Sequence, residues 1–310
     1  MKPVNRNAAA NACALLEYLY DVAGKKIIAG QHTQTRKQEE LSYIYDKTQR
    51  YPKLIGYELL SYSPNINFND ASKECLDEVY DNQGTLKTAL ERAQNNNDII
   101  TFTFHWFSPL YGRDKSFYAK NTDFDPSAVL IQGTKEQEAF YHDLDVIAKE
   151  LRPFLEKDIP ILWRPFHESD GEWFWWGRKG ADIAKQLYLL MYDRFVNYHH
   201  LNNLLWVWNA LDAYPGDDYV DVVSIDVYLE KYKETDYKDE YLKLISKTSQ
   251  NKVAALGEVG YLPDINIWNE TKIPWAYFMS WSKEFIIGEQ YNKTDKLIEL
   301  YQNENVITEL

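Results

Sequence analysis

The segment WRPFHESDGEWFWWG, residues 163–177, contains groups that could do acid chemistry. Within it, Glu168 is set between Arg164, His167 and four of the chain's ten tryptophans. Apolar aromatic surroundings raise the pKa of a carboxyl group, so Glu168 could donate a proton near neutral pH. Flat indole rings with N–H edges also offer surfaces that can bind the apolar faces of sugar rings. The segment therefore indicates acid chemistry on a carbohydrate.

A second glutamate, Glu258, supplies the other group that such chemistry needs. Cleavage of a glycosidic bond requires a protonated acid for the leaving oxygen and an ionised carboxylate facing the anomeric carbon. When the two groups are about 5–5.5 Å apart, the carboxylate attacks and the product retains its configuration. Glu168 fits the acid/base, and Glu258 fits the nucleophile because its Gly-Glu-Val-Gly motif would leave room for a sugar. Arg164 could orient both glutamates, and Tyr228 could hold Glu258 ionised.

Eight short apolar runs recur along the chain, and longer helix-like segments lie between them. The predicted strands are residues 26–30, 54–59, 99–105, 160–164, 204–208, 222–228, 253–258 and 275–281. The predicted helices are residues 85–95, 135–155, 182–199 and 237–249. Alternating strands and helices imply a parallel sheet, and eight strands in one unit predict a single (β/α)8 barrel of the α/β class. No linker interrupts the chain, so residues 1–310 are expected to form one catalytic domain.

The predicted helix 135–155 has the clearest local signals. Its apolar face carries Phe140, Leu144, Ile147 and Leu151 at three- to four-residue spacing. Thr134 precedes Gln137 by three residues, which is the spacing of a capping box at the start of a helix.

Active residues of a (β/α)8 barrel lie where its strands end at the carboxyl face. Polar or aromatic residues follow five of the predicted strands: His105 and Trp106 after the third, Arg164, His167 and Glu168 after the fourth, Asp226 and Tyr228 at the sixth, Glu258 at the seventh and Trp281 at the eighth. The aromatic run 173–176 is too dense for every ring to point inward, so some rings are expected to lie at a binding surface. These residues together predict a carbohydrate cleft on one rim of the barrel.

Composition excludes several other classes of partner. The net charge of −13 argues against nucleic acid, which requires concentrated lysine and arginine. No stretch is long and apolar enough for a membrane span, so no membrane partner is expected. Cys13 and Cys75 permit one disulfide or two free thiols and are no metal-ligand set. The N-terminus lacks the apolar core of a signal peptide; we expect a secreted or periplasmic protein if a signal was trimmed, and a cytoplasmic one otherwise.

At these residues the chain resembles glycoside hydrolase family 26, whose best-known members are endo-β-1,4-mannanases. Residues 163–177 resemble the family's acid/base segment, and LGEVG at 256–260 resembles its nucleophile strand. The resemblance implies that Glu168 is the proton donor and Glu258 the nucleophile. Substrate-binding roles are expected for His105, Trp106, Arg164, His167, Trp173, Trp176, Asp226, Tyr228 and Trp281. The resemblance further implies a retaining double displacement on β-mannan or a related polysaccharide or oligosaccharide, with no cofactor and no metal. We expect a monomer, since a polymer-degrading barrel can act as one.

Two departures from the family pattern concern residues that would line the cleft. Ser169 and Asp170 follow the His-Glu pair, where many members carry methionine, and residues 104–118 differ from the corresponding mannanase loop. The family also includes mixed-linkage β-1,3-1,4-glucanases and β-1,3-xylanases. These activities therefore remain alternatives to cleavage of β-1,4-mannan.

Two further classes of protein remain open. A metal-dependent barrel hydrolase could use His32, His105 and His167, although no His-x-His or His-Glu-x-x-His motif is present to preorganise a metal. A non-catalytic sugar-binding barrel would need the tryptophans but not two opposed glutamates. The presence of both glutamates favours hydrolysis.

Overall fold

A closed barrel of eight parallel strands forms the body of the structure, a computed structural model that describes residues 1–230 and 232–310. The strands are β1 (Ile27–His32), β2 (Leu54–Glu58), β3 (Ile99–Thr103), β4 (Ile161–Arg164), β5 (Leu204–Asn209), β6 (Val222–Val227), β7 (Val253–Val259) and β8 (Trp275–Ser280). Each strand pairs in parallel with the next, and β8 pairs with β1, which closes the barrel. The predicted (β/α)8 barrel is confirmed.

All eight predicted strands are present, with bounds that agree closely with the sequence-based ones. The third strand ends at Thr103, so His105 lies in the loop beyond it rather than in the strand. Two short strands were not predicted. Tyr51–Pro52 and Val306–Glu309 pair with each other in antiparallel orientation, and the second also pairs in parallel with β1.

Helices surround the barrel at all but one of the crossovers. Within the described residues they are α1 (Ala10–Val22), α2 (Glu39–Thr48), α3 (Lys73–Asp81), α4 (Thr85–Asn96), α5 (Lys135–Glu156), α6 (Ala181–Asp193), α7 (Lys238–Lys247), α8 (Ile265–Thr271) and α9 (Thr294–Gln302). Three predicted helices correspond to α4, α5 and α7. The fourth, predicted at 182–199, is α-helical to Asp193 and continues as a π-helical turn, Arg194–Tyr198. Residues 210–221, all described, contain no helix, so a loop alone joins β5 to β6.

The first helix packs across the amino ends of the strands. Leu16 and Leu19 of α1 belong to one buried apolar cluster with residues near the starts of the strands, among them Leu54 and Ile99. Burial of each such side chain contributes about 1.5–3 kcal/mol to stability. This cluster supports the end of the barrel that lies opposite the carboxyl ends of the strands.

The predicted apolar face of α5 is buried against the barrel: it comprises Phe140, Leu144, Ile147 and Leu151. Thr134 caps the helix, because its Oγ1 accepts a hydrogen bond from the backbone N–H of Gln137 at 3.2 Å. In a capping box the side chain of Gln137 would also accept a hydrogen bond from the backbone N–H of Thr134, but here the donor is the preceding residue. The side-chain oxygen of Gln137 accepts from the backbone N–H of Gly133 at 3.1 Å.

Both cysteines, Cys13 and Cys75, are free thiols, so the disulfide alternative is not realised. Burial raises the pKa of the Cys75 thiol to about 12, which keeps it protonated at physiological pH. Among the described residues, no helix combines the length and hydrophobicity needed to cross a bilayer.

Candidate active site

Three carboxylates meet at the carboxyl ends of β4, β6 and β7. One oxygen from each of Glu168, Asp226 and Glu258 lies within 4.8 Å of an oxygen from each of the others. Glu168 and Asp226 line a cleft of about 450 Å³, together with Trp173 and Tyr228. The two glutamates singled out in the sequence therefore lie close together beside an open cleft.

Arg164, the last residue of β4, connects two of these carboxylates. Its guanidinium donates hydrogen bonds to Glu258 Oε1, to Asp226 Oδ2 at 2.8 Å and to Thr103 Oγ1 at 2.7 Å. Arg164 is 1% exposed, and a buried charge is tolerated when it is paired and hydrogen-bonded in this way. The geometry is that of a rigid clamp that orients Glu258 and Asp226.

An irregularity in β7 brings Glu258 into this position. The pairing register shifts next to Asp226, which lies opposite Glu258, and Gly257 becomes an extra residue in β7. Such a bulge re-aims the side chains beside it. A Cβ atom on Gly257 would lie 2.5 Å from Asp226 Oδ1 and 2.6 Å from Asn209 Nδ2. The room left by this glycine is thus taken by protein side chains, which corrects the expectation that it is left for a sugar.

The second oxygen of Glu258 has its own donor. Tyr228 donates its hydroxyl hydrogen to Glu258 Oε2 at 2.7 Å. Burial raises the pKa of Glu258 above its ordinary value, while the Arg164 guanidinium and the Tyr228 hydroxyl oppose this rise because they stabilise the carboxylate. Glu258 is 4% exposed, whereas Tyr228 is 44% exposed at the rim of the cleft. Glu258 is therefore oriented through both of its oxygens.

Glu168 lies on a turn whose backbone is held in an uncommon conformation. Phe166 and Glu168 have φ values of 53° and 54°, in the left-handed region. Residues other than glycine rarely adopt this region, and the strain persists only where surrounding groups enforce it. The backbone N–H of Glu168 donates to the backbone carbonyl of Asn209 at 2.9 Å and to its side-chain oxygen at 3.0 Å. Asn209, the last residue of β5, thus fixes the turn that carries Glu168.

The carboxyl group of Glu168 is tuned by its neighbours. Burial, together with the negative charge of Asp226, raises the pKa of Glu168 to about 7. The indole of Trp173 donates its N–H to Glu168 Oε2 at 2.8 Å, which opposes the rise. Trp173 is 51% exposed and borders the cleft. A carboxyl group with a pKa near 7 can both give and take a proton at neutral pH.

Asn209 also joins the Glu168 turn to the buried ion pairs. Its Nδ2 donates to Asp226 Oδ1 at 2.8 Å and to Ser224 Oγ at 3.0 Å. Burial raises the pKa of Asp226, and the charge of Arg164 opposes that rise. Sequence reasoning missed Asn209. The available signal was its place directly after the apolar run LLWVW, at the carboxyl end of a strand.

His105 lies in the loop after β3, with its ring 4.7 Å from that of His167 between centroids. Its Nδ1 is 2.6 Å from an oxygen of Glu58, the last residue of β2. Burial alone would lower the pKa of His105, but the charge and hydrogen bond of Glu58 raise it above its ordinary value. Glu58, like Asn209, ends a barrel strand and was not identified from the sequence.

His32 and His167, the other two histidines of the metal-dependent alternative, are buried. Burial lowers the pKa of both His32 and His167 well below the ordinary value. His32, at the end of β1, stacks on the indole of Trp281 with ring centroids 3.9 Å apart. Trp281 is partly buried and also lies against His105, 6.2 Å away between ring centroids. One face of the predicted Trp281 platform is thus covered by His32.

Trp106 and Trp176 do not reach the cleft, which corrects the expectation that they contact substrate. Each is 1% exposed. Trp106 donates its indole N–H to Asp143 at 2.8 Å, and Trp176 donates to the backbone carbonyl of His167 at 2.9 Å. Within the run 173–176, the side chain that reaches the surface is Trp173. The other rings pack on one another beneath the cleft wall, where they hold the loops after β3 and β4.

The three histidines of the metal-dependent alternative do not bring their ligand atoms together. In the part of the chain that the structure describes, the group of three or more potential ligand side chains within 4.8 Å is the trio of carboxylates. Arg164 already forms ion pairs with two members of that trio. The arrangement favours acid–base and nucleophilic chemistry by carboxylates.

Two carboxyl groups facing each other at the carboxyl end of a (β/α)8 barrel, beside exposed aromatic rings, define the type of site found in glycoside hydrolases. The sequence matches the family model of glycosyl hydrolase family 26 over residues 4–309. The chain belongs to this family.

Individual relatives agree with this membership. A mannan endo-1,4-beta-mannosidase from Thermothelomyces thermophilus is 37% identical over 317 residues, which cover 98% of this chain and 62% of the relative. The crystal structure of a GH26-CBM35 beta-(1,4)-mannanase from Podospora anserina matches with a TM-score of 0.87 and 32% identity, covering 99% of this chain and 68% of that one. A beta-mannanase from a symbiotic protist of the termite Reticulitermes speratus, complexed with gluco-manno-oligosaccharide, has a TM-score of 0.87, 28% identity and coverage of 99% and 96%. The chain thus spans less than two thirds of the length of its Thermothelomyces relative.

Proposed function

We propose that this chain is a retaining glycoside hydrolase that cleaves β-1,4-mannosidic linkages in mannan-type polysaccharides. The observation that carries the proposal is the meeting of Glu168 and Glu258, with oxygens within 4.8 Å of each other. Carboxyl groups about 5–5.5 Å apart suit direct attack, whereas inverting enzymes need about 6.5–9.5 Å to admit a water molecule. The relatives named as mannanases support the choice of sugar.

In the first step, Glu258 attacks the anomeric carbon and forms a covalent ester with the sugar. The bond between that carbon and the leaving oxygen breaks, and Glu168 transfers its proton to the leaving oxygen. The raised pKa of Glu168, about 7, keeps a sufficient fraction of this group protonated at neutral pH. Arg164 and Tyr228 hold Glu258 in the ionised, oriented form that attacks.

In the second step, Glu168 takes a proton from a water molecule that attacks the same carbon from the opposite side. The ester bond to Glu258 breaks, and Glu258 leaves as a carboxylate. Esterification removes the negative charge of Glu258, which interacts unfavourably with that of Glu168 in the free enzyme. Loss of that charge favours the ionised form of Glu168, as its role as a base requires.

The stereochemistry is tested by ¹H NMR of the products from manno-oligosaccharides. We expect the β-anomer to form first and the α-anomer to appear later by mutarotation. Initial release of the α-anomer would show inversion and overturn the double displacement.

The sugar is tested by measuring reducing ends released from β-1,4-mannan, mixed-linkage β-glucan and β-1,3-xylan. We expect release from mannan. Release from either of the other two polymers alone would assign the chain to that activity instead. Tight binding of manno-oligosaccharides with no product after long incubation would identify a sugar-binding barrel.

A further inference from the structure

Glu58 and His105 form a buried pair that the two-carboxylate mechanism does not use. The side chain of Glu58 is 3% exposed, and its Oε2 lies 2.6 Å from Nδ1 of His105. Its other oxygen accepts the backbone N–H groups of His105 and Leu60, each at 2.9 Å. One carboxylate therefore fixes both the imidazole ring and the start of the loop that carries it.

The opposite edge of the His105 ring is directed away from Glu58. Nε2 of His105 has no hydrogen-bond partner in the described part of the chain, and the side chain is 14% exposed. The ring is held in its plane by Phe117, His167 and Phe174, with centroids 5.1, 4.7 and 5.3 Å away. The imidazole is thus rigid, and one of its nitrogens remains available to a ligand.

The titratable groups around His105 together favour its protonated form, since the carboxylates among them raise its pKa. They are Glu58 on β2, Glu78 on α3, Glu258 on β7, Glu168 and His167 after β4, and His32 on β1. The two histidines are neutral, so the net influence of these groups is negative. A protonated imidazole donates from both nitrogens, and hydrogen bonds from a charged donor are stronger than those between neutral groups.

We infer that Glu58 is a positioning residue, which holds the imidazole of His105 so that its Nε2 is directed to a hydroxyl group of the sugar that reacts with Glu258. This inference rests on the proposed function, because it requires a sugar in the cleft. Hydrogen bonds to hydroxyl groups of the distorted ring strengthen in the transition state of glycoside hydrolysis. Glu58 then contributes to catalysis through His105, without contact with substrate.

The pairing is tested without substrate by ¹⁵N NMR titration of the imidazole groups in the full chain. His105→Ala assigns the His105 signals. We expect a titration midpoint above 6.5 in the wild-type protein, in the direction that Glu58 imposes. Glu58→Gln removes the charge, so the midpoint is expected to fall. An unchanged midpoint in Glu58→Gln overturns the pairing, whatever the activity of the protein.

The kinetic role is tested by a double-mutant cycle on manno-oligosaccharides. We expect Glu58→Gln and His105→Ala each to lower kcat/KM about 10-fold or more, the equivalent of one charge-assisted hydrogen bond. The double variant is expected to be no slower than His105→Ala, because Glu58 acts through His105. Multiplied losses in the double variant would overturn the inference. An inactive wild-type protein would instead refute the proposed function and leave the titration result standing.

A matched control comes from Asp221, a buried carboxylate at the opposite end of the barrel. It accepts two backbone N–H groups, those of Val4 and Trp206, each at 2.8 Å. Asp221→Asn is expected to keep the wild-type kcat/KM below its melting temperature. Should Glu58→Gln fail to fold, Glu58→Asp keeps the charge and is expected to preserve the raised titration midpoint of His105. A midpoint in Glu58→Asp at or below 6.5 would count against the pairing.

Discussion

Glu168 and Glu258 are chemically identical side chains with different surroundings. Glu258 receives a guanidinium and a tyrosine hydroxyl, which stabilise its ionised form. Glu168 receives one indole N–H and is otherwise influenced by burial and by a neighbouring carboxylate. In the proposed mechanism, this difference in hydrogen-bond donors makes Glu168 the acid and Glu258 the nucleophile. The proposed division of roles follows from the neighbours of each glutamate and not from the side chains themselves.

Substitution of Glu168 should separate the two steps of the reaction. Glu168→Ala is expected to lower kcat on mannan about 10²- to 10⁴-fold, the usual contribution of a general acid. Cleavage of an aryl β-mannoside with a good leaving group should retain a rapid first step, because that leaving group needs no proton. The measurement is the pre-steady-state release of the phenol. Loss of the rapid release of phenol, by a factor equal to the loss of kcat on mannan, would contradict the assignment of Glu168 as the acid.

In the proposed mechanism Glu258 forms the covalent bond to the sugar, and its substitution removes that group. Glu258→Ala is expected to abolish turnover of both mannan and the aryl mannoside, since leaving-group quality cannot replace a nucleophile. The control is Glu270→Ala, which changes an exposed glutamate at the end of α8 and should leave kcat unchanged. Wild-type rates in Glu258→Ala would rule out the two-carboxylate mechanism.

The pH profile should report Glu168 directly. The first step of the proposed mechanism needs its protonated form, so kcat/KM is expected to fall as the pH rises through about 7. Trp173→Phe removes an N–H that stabilises the ionised carboxylate, so the pKa of Glu168 rises and this limb of the profile moves to higher pH. A shift toward lower pH would show that another group controls the limb.

At the scale of elements, the site depends on how the end of β5 holds the turn after β4. Asn209→Ala removes a hydrogen bond to the Glu168 turn and one to buried Asp226. We expect a loss of stability of about 1–3 kcal/mol and a larger fall in kcat than rise in KM, because the acid is mispositioned. Urea denaturation and steady-state kinetics provide the two measurements.

The control for this substitution lies at the other end of the same strand. Asn203 is buried just before β5 and donates its side-chain N–H to the carbonyl of Ile159 at 2.8 Å. Asn203→Ala is expected to lower stability by a similar amount with kcat unchanged. An equal fall in kcat for both variants would show that Asn209 acts through stability alone.

The strands could be predicted because each is a short, buried apolar run, and their carboxyl ends located Glu168 and Glu258. The hydrogen bonds and ion pairs that tune the pKa and orientation of these two glutamates could not be predicted from the sequence. Asn209 and Glu58 differ from ordinary strand ends only through partners that the fold brings from other strands. The directions of Trp106 and Trp176 depend on loop backbones, which hydrophobic periodicity does not describe. The loop that joins β5 to β6 without a helix likewise departs from the alternation of strands and helices on which the prediction of the fold was based.

At the scale of the whole molecule, burial of acids at both ends of the barrel makes stability depend on pH. Burial raises the pKa of Asp221 to about 6, so between about pH 4 and 6 the folded state keeps a proton that the unfolded chain loses. The stabilisation that the protonated Asp221 gives to the folded state is therefore present at low pH and is lost as the pH rises through 6. The rise in the pKa of Asp221 corresponds to a loss of roughly 3 kcal/mol in the free energy of unfolding when the pH rises above 6.

The variant Asp221→Asn isolates the effect of Asp221 on the pH dependence of stability, because the other titrating groups are common to both proteins. The stability of the wild-type protein relative to Asp221→Asn is expected to fall between pH 4 and 6 and to remain constant above that. Urea denaturation at unit pH intervals provides the comparison. A difference that grows with pH would show that the native state prefers the ionised form of Asp221.

The two donors to Glu258 differ in their exposure to solvent and in the number of their partners. Arg164 is enclosed within the barrel and anchored to three partners, whereas nearly half of Tyr228 is open to solvent. One oxygen of Glu258 thus accepts a hydrogen bond from a buried guanidinium, and the other accepts one from the hydroxyl of a half-exposed tyrosine. In the proposed double displacement the carboxylate of Glu258 must approach the anomeric carbon and withdraw again, and we expect Tyr228, with its room in the cleft, to follow this movement more readily than Arg164.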